Sequence, residues 1–161
     1  MMPAKSSKAV VVITDASCFI ILHKIGALDL LHKLFTTILT TPEIAKEYGT
    51  TLPDWVTVIS VTNKKLQNEL AQVVDPGEAS AIALAHEIEI NFLITDDLDA
   101  RKLATKLGLD IIGTLGILLR AKQKFYIDQL APFLEKMMKT NFRMSQELII
   151  KVLKEADEYS D

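Results

Sequence analysis

The stretch Ala9-Val-Val-Val-Ile-Thr14 constrains the fold more than any other part of the chain. It is a nearly unbroken run of β-branched side chains. A strand exposed on one side alternates polar with apolar residues, whereas a strand apolar on both sides has to be covered on both, as inner strands of parallel sheets are. The run stops at an acid, Asp15. A carboxylate placed directly after such a strand lies near the core, where it needs hydrogen-bond partners or a cation.

The remaining pattern alternates helix with strand. Helical spacing of Leu and Ile predicts two short helices at 19–25 and 28–35, divided at Gly26, and then a strand at 37–40. Thr41 and Pro42 read as N-cap and first residue of a helix that ends at Tyr48 before Gly49. A strand at 56–61, of edge character, precedes a helix starting near Lys64. Asp75-Pro-Gly-Glu78 opens an Ala-rich helix to about Glu87, whose small residues suit close packing on a sheet. A buried strand at 92–95 runs into Asp96-Asp97, and the next helix continues to Leu107 with Gly108 as its stop. A short strand at 110–112 and helices at 115–124, 127–139 and 146–158 complete the chain. Such alternation implies right-handed crossovers and an α/β three-layer sandwich around a mostly parallel central sheet. One domain over 1–161 is expected, with its core at about 9–124 and a C-terminal helical extension at 125–161.

With 161 residues, 49% of them hydrophobic, the chain has material for one sizeable core. Its apolar runs are too short to span a bilayer and no leader pattern opens it, so a cytoplasmic, non-membrane protein is expected. The single cysteine, Cys18, cannot form an internal disulfide and reads as a small buried hydrophobe. A net charge of −3 argues against a surface that grips nucleic acid unaided, although bound cations would change that locally. No Walker P-loop or G-x-G-x-x-G fingerprint is present, and His23, His32 and His86 lack metal-ligand spacing. Met137, Met138 and Met144 read as core or interface fillers.

The acids are more informative. In open parallel sheets, functional groups gather at the carboxyl ends of strands, where Asp15 and Asp96-Asp97 both fall. Glu43 and Glu47 occupy the helix after the second strand, and Glu78 stands in the first turn of the helix preceding the 92–95 strand. Four elements can thus aim acids at one spot. Carboxylates brought together repel and hold protons unless a cation is present, and hard divalent cations such as Mg²⁺ or Mn²⁺ prefer oxygen ligands. Structural duties compete for the same residues. Asp75 and Glu78 have the spacing of a capping box, Asp96 with Asp99 suits a helix cap, Glu43 suits a helix dipole, and Glu47 suits a solvated face.

Together these residues resemble the PIN-domain family, in particular its small prokaryotic members related to toxin nucleases. Val12-Ile-Thr-Asp15-Ala-Ser17 is similar to the family's opening strand, and Thr41-Pro-Glu-Ile-Ala-Lys-Glu47 to its P-x-x-V-x-x-E helix. Asp75-Pro-Gly-Glu78-Ala-Ser-Ala-Ile-Ala-Leu-Ala85 resembles the D-x-G-E-A-x-A-I-x-L-A segment. Leu93-Ile-Thr95-Asp96-Asp97-Leu98-Asp99-Ala-Arg101 resembles L-L-x-D-D-x-x-A-R, and Thr114-Leu-Gly-Ile-Leu-Leu-Arg-Ala-Lys122 a stretch of one largely uncharacterised branch. The likeness implies catalytic, metal-binding acids at Asp15, Glu47, Glu78 and Asp97, with Asp96 and Asp99 as further metal candidates from the same run. It also implies hydroxyl support from Ser17 and Thr95. Many family members carry Asp where Glu78 stands. The activity implied is Mg²⁺- or Mn²⁺-dependent hydrolysis of RNA phosphodiesters, with a cognate antitoxin as partner; the apolar C-terminal helices suggest a homodimer.

Two other enzymes fit less well. A haloacid-dehalogenase-like phosphatase would carry a second acid where Ser17 stands, and a receiver domain an acidic pair that the first strand lacks. A catalytically inactive α/β module that binds protein or nucleic acid is the non-enzymatic alternative.

Overall fold

The computed structural model describes residues 9–160, so the outermost ends of the expected 1–161 domain lie outside the described residues. Five strands form one all-parallel sheet: β1 (Val11–Thr14), β2 (Thr37–Thr40), β3 (Val56–Val58), β4 (Phe92–Ile94) and β5 (Ile111–Ile112). Their order is β3-β2-β1-β4-β5. The chain first builds outward from β1 through β2 to β3, then returns to the other side of β1 with β4 and continues to β5. The order therefore reverses between β1 and β4, the position at which an open parallel sheet leaves a crevice beyond its carboxyl edge. The α/β three-layer arrangement read from the sequence is the one found.

Register sets what faces that crevice. Val12 pairs with Phe92, Ile13 with Leu93 and Thr14 with Ile94. The next residue on each strand is polar, Asp15 beside Thr95, and the Asp15 N–H still donates to Ile94 O at 3.1 Å. The β-branched strand is needed on both faces, since Val12, Ile13, Leu93 and Ile94 are all fully buried. Each such side chain contributes about 1.5–3 kcal/mol on burial.

Nine helices lie among the described residues. After β1 come α1 (Ala16–Lys24) and α2 (Asp29–Leu34). Then follow α3 (Pro42–Tyr48), α4 (Lys64–Leu70), α5 (Pro76–Glu87), α6 (Leu98–Lys106), α7 (Thr114–Gln123), α8 (Ala131–Met138) and α9 (Gln146–Glu155). Helix α5 packs on β1 and β4 and between α3, α4 and α6, while α7 meets α1, α2 and α9. Ala79, Ala81 and Ala83 are fully buried on α5, and their short side chains let this helix lie close to the sheet. Among the described residues no helix is long and apolar enough to cross a membrane.

Several boundaries differ from the sequence expectation. The first helix begins at Ala16 rather than Phe19, because Asp15 itself is its N-cap. β3 stops at Val58 rather than at residue 61, since its partner β2 gives way to the Thr41 cap of α3. The helix expected from Ile127 starts at Ala131 because Pro132, which lacks an N–H, fits only a first turn. The last helix ends at Glu155, not Glu158.

That early end frees Glu158 for another task. Its carboxylate accepts from Lys122 Nζ at 2.8 Å, Leu130 N at 2.6 Å and Ala131 N at 2.9 Å. Burial alone would raise its pKa; the lysine and the two N–H groups at the start of α8 more than offset this and hold it below the ordinary value. The C-terminal helices are also tied in by packing, as Leu134, Met137, Val152 and Ala156 belong to the same buried cluster as the strands. Glu158→Ala should cost about 1–3 kcal/mol in urea unfolding, because two helix-start donors lose their acceptor. Unchanged stability would contradict this role.

Candidate metal centre

Asp15 is 1% exposed, and its position follows from local chemistry. It ends β1 and caps α1, accepting from Cys18 N through Oδ1 at 2.9 Å. Its other oxygen, Oδ2, is buried and has no hydrogen-bond partner. Glu78 reaches the same place from the first turn of α5 and is also buried. Thr95, at the end of β4, donates from Oγ1 to Glu78 Oε1 at 3.3 Å and accepts from Asp97 N at 3.1 Å.

The two buried carboxyls lie within hydrogen-bonding reach and cannot both ionise cheaply. Burial, then the charge of Asp15 and the hydrogen bond to it, push Glu78 up to about 10, with Asp97 adding repulsion. Burial raises Asp15 as well, while donation from Glu78 works the other way. At neutral pH Glu78 is therefore the protonated member of the pair.

Two further acids stand at the margin. Asp97 caps α6, accepting from Ala100 N through Oδ2 at 2.9 Å. Glu47, on α3, is exposed at its surface, yet its pKa is raised by partial burial, then by Asp15 and Asp75. Its carboxylate lies against Gly77 of α5: a Cβ at position 77 would fall 2.7 Å from Glu47 Oε1 and 3.6 Å from Ile44 Cγ1. The glycine is what lets this acid approach the start of α5.

Other candidate acids are engaged elsewhere. Asp96 accepts from Thr114 N at 2.9 Å through Oδ1, and from Thr114 Oγ1 at 2.5 Å and Cys18 Sγ at 3.3 Å through Oδ2. It fastens the start of α7 to the sheet edge. Gly113 makes room for this, since a Cβ there would fall 2.5 Å from Asp96 Oδ1 and 2.9 Å from Arg101 Nη1. Asp99 is exposed and lines a separate depression with Val73 and Lys102. Ser17 is exposed in the first turn of α1, whereas Thr95 is fully buried. The capping box expected at Asp75 is not formed: Asp75 makes no side-chain cap bond, because Glu78 is turned into the crevice instead. Nor does Asp96 cap α6, a position that Asp97 takes.

Sequence reasoning missed three participants. Thr114 and Cys18 hold Asp96, and Arg101 donates from Nη1 to Thr95 O at 2.9 Å, bracing the strand end between the acids. Arg101 and Thr114 stand in the matched segments, but nothing local gives their bonding roles, and Cys18 and Thr114 meet Asp96 from distant elements. The Cys18 thiol is pushed well above its ordinary value by burial, then by Asp15 and Asp96, so it is a neutral donor and not a nucleophile.

Among the described residues no group of three or more His, Cys, Asp or Glu side chains is arranged to hold a metal ion. The nucleus of such a site is nonetheless present in the orphaned Asp15 Oδ2 and the protonated Glu78, hard oxygen donors whose mutual repulsion a divalent cation would relieve. Their donor chemistry fits Mg²⁺ or Mn²⁺, with Asp97 and Glu47 near enough to be felt electrostatically.

The proton on Glu78 has a measurable consequence. Its pKa rises from 4.5 to about 10 on folding, so between those values the folded chain keeps a proton that the unfolded chain has released. Stability from this source is full below 4.5 and is lost as pH rises toward about 10. Metal-free protein should therefore melt lower at about pH 9 than at about pH 5, and Glu78→Gln should flatten that decline. Parallel pH profiles for the two proteins would contradict the shared proton.

The family model DUF3368, a PIN domain, matches residues 11–158. A search of curated proteins finds no match. The matched span takes in all five strands and the buried Asp15–Glu78 pair, and on this ground the chain belongs to the PIN-domain family.

Proposed function

We propose that this chain hydrolyses RNA phosphodiesters with Mg²⁺ or Mn²⁺ held by Asp15, Glu78, Asp97 and Glu47. PIN domains are generally nucleases that act on nucleic acid. The observation that carries the finer reading is the buried, unpartnered Asp15 Oδ2 beside a Glu78 that burial and the charge of Asp15 keep protonated. When bound, a divalent ion supplies a water of lowered pKa and neutralises charge on the phosphate oxygens.

The chain's own residues supply the rest. Asp15 is fixed by its cap bond to Cys18 N and cannot swing away when its charge is unbalanced. Thr95 keeps the Glu78 carboxyl oriented while also accepting from Asp97 N, so the ends of β4 and α5 are coupled through one hydroxyl. Asp97 has one oxygen committed to its cap, and its charge is felt at Glu78. Glu78 must release its proton for a cation to enter, so affinity should rise with pH.

Incubating a mixed-sequence single-stranded RNA with the protein and Mn²⁺ tests the reading. Cleavage should stop with EDTA and fall at least about 100-fold in Asp15→Asn and Asp97→Asn. Metal-dependent cleavage that survives Asp15→Asn would reject the assignment. In parallel, Mn²⁺ should raise the melting temperature more at about pH 8 than at about pH 6.

The lack of a ready three-carboxylate group among the described residues favours a second reading, a catalytically inactive binding module. It predicts no melting response to Mn²⁺ and no cleavage. The role of toxin in a toxin–antitoxin pair rests on the motif resemblance; growth arrest on induction, relieved by a co-expressed antitoxin, is its test.

A further inference from the structure

β5 ends the sheet on its side, and among the described residues no strand lies beyond it. In its parallel ladder with β4, Leu93 N donates to Asp110 O at 2.9 Å and Thr95 N to Ile112 O at 3.1 Å. The polar groups of a strand alternate in direction, so the N–H and C=O of Ile111, between these two, point to the open side. An open edge of this kind is a template for another chain, and many proteins cover or blunt it. Here it opens onto a hollow of about 700 Å³ lined by Ile111, Asp110 and Leu109 on one side and by α6 on the other.

Helix α6 presents one stripe to this hollow. Ala100 and Ala104 are fully buried, which turns Leu98, Lys102 and Lys106, at helical spacing, outward together. Leu98 is 70% exposed, while Leu109 and Ile111 add half-buried apolar side chains to the same lining. The one ion pair among the described residues, Lys122 with Glu158, uses neither lysine. Arg101 also borders the hollow but is engaged with Thr95 O, and Asp110 is the single acid of the lining, so the balance of charge is positive. Open main-chain groups, exposed apolar side chains and cations thus fall in one place. An extended peptide uses all three: its own N–H and C=O pair with the strand edge, apolar side chains meet Leu98 and Leu109, and acids meet the lysines. A phosphate backbone would use the lysines alone.

We infer that the groove between β5 and α6 docks an extended segment of another protein, in which acidic and apolar residues alternate, as an added strand on β5. The inference takes nothing from the proposed hydrolysis of RNA, and either can fail without the other.

The probe is a short fluorescein-labelled peptide alternating Glu with Val, followed by anisotropy at low salt. Wild type should bind it more tightly than a counterpart alternating Lys with Val, and the exposed double variant Lys102→Glu with Lys106→Glu should invert that preference, weakening the Glu peptide about 10-fold. Leu98→Ser should weaken binding about 5-fold. Methylating every second peptide nitrogen should weaken binding about 2- to 10-fold for one of the two alternate sets, the set that faces β5, and leave the other set close to the parent. The inference is overturned if wild type does not bind the Glu peptide, if the double variant keeps the wild-type preference, or if both methylated sets bind as the parent does. It is also overturned if polyuridylate displaces the peptide while Leu98→Ser binds as wild type, the mark of a general polyanion surface. Sedimentation of wild type as a dimer that the double variant dissociates would overturn it too, since a second copy would then fill the edge.

Discussion

Two carboxyl groups forced into one buried space are costly to keep, and the geometry that forces them is the geometry of the sheet itself. Asp15 is there because β1 must be apolar on both faces until it ends, and the first residue past its end is also the cap of α1. Glu78 is there because α5, rich in alanine, lies close over β1 and β4. Asp15 cannot leave without uncapping α1. A shared proton makes the arrangement tolerable, with Glu78 held neutral well above the usual carboxylate range. A cation hard enough to prefer oxygen would relieve the repulsion within such a pair.

The strand reversal between β1 and β4 does the corresponding work at the level of the chain. It brings the ends of β1 and β4, some eighty residues apart in sequence, into adjacent register, so that Asp15 stands beside Thr95 and one step from Asp97. Arg101 and Thr114 then lock this edge from the far side, one through the Thr95 carbonyl and the other through Asp96. The acidic run 96–99 is divided by this bracing into residues with different duties: one fastened to α7, one capping α6 beside the crevice, and one in solvent.

Much of this was legible in the residues. The β-branched run, the strand ending in two aspartates and the alanine helix declare a parallel α/β sheet, because their burial leaves few alternatives. The placing of Asp15 beside the Thr95 end of β4 followed once β1 and β4 were neighbours, whereas the grouping of Asp15, Glu78 and Asp97 as one metal-holding set is not found among the described residues. What local pattern could not settle was competition between duties. Asp75 to Glu78 has the spacing of a capping box, but the pull of the crevice on Glu78 is a tertiary effect, invisible in four residues. The same holds for Asp96, whose partner Thr114 is eighteen positions away. The start of α8 was readable in hindsight from Pro132, and the clasp at Glu158 was not, since it joins three elements through one side chain.

The account depends on a carboxylic acid that stays protonated at neutral pH until a cation displaces its proton. Infrared difference spectroscopy on the metal-free protein is the most direct measurement. The account predicts a protonated-carboxyl C=O band at neutral pH that disappears when Mn²⁺ is added and is absent in Glu78→Gln. A neutral-pH spectrum with no such band, or a band that Mn²⁺ leaves in place, would contradict it.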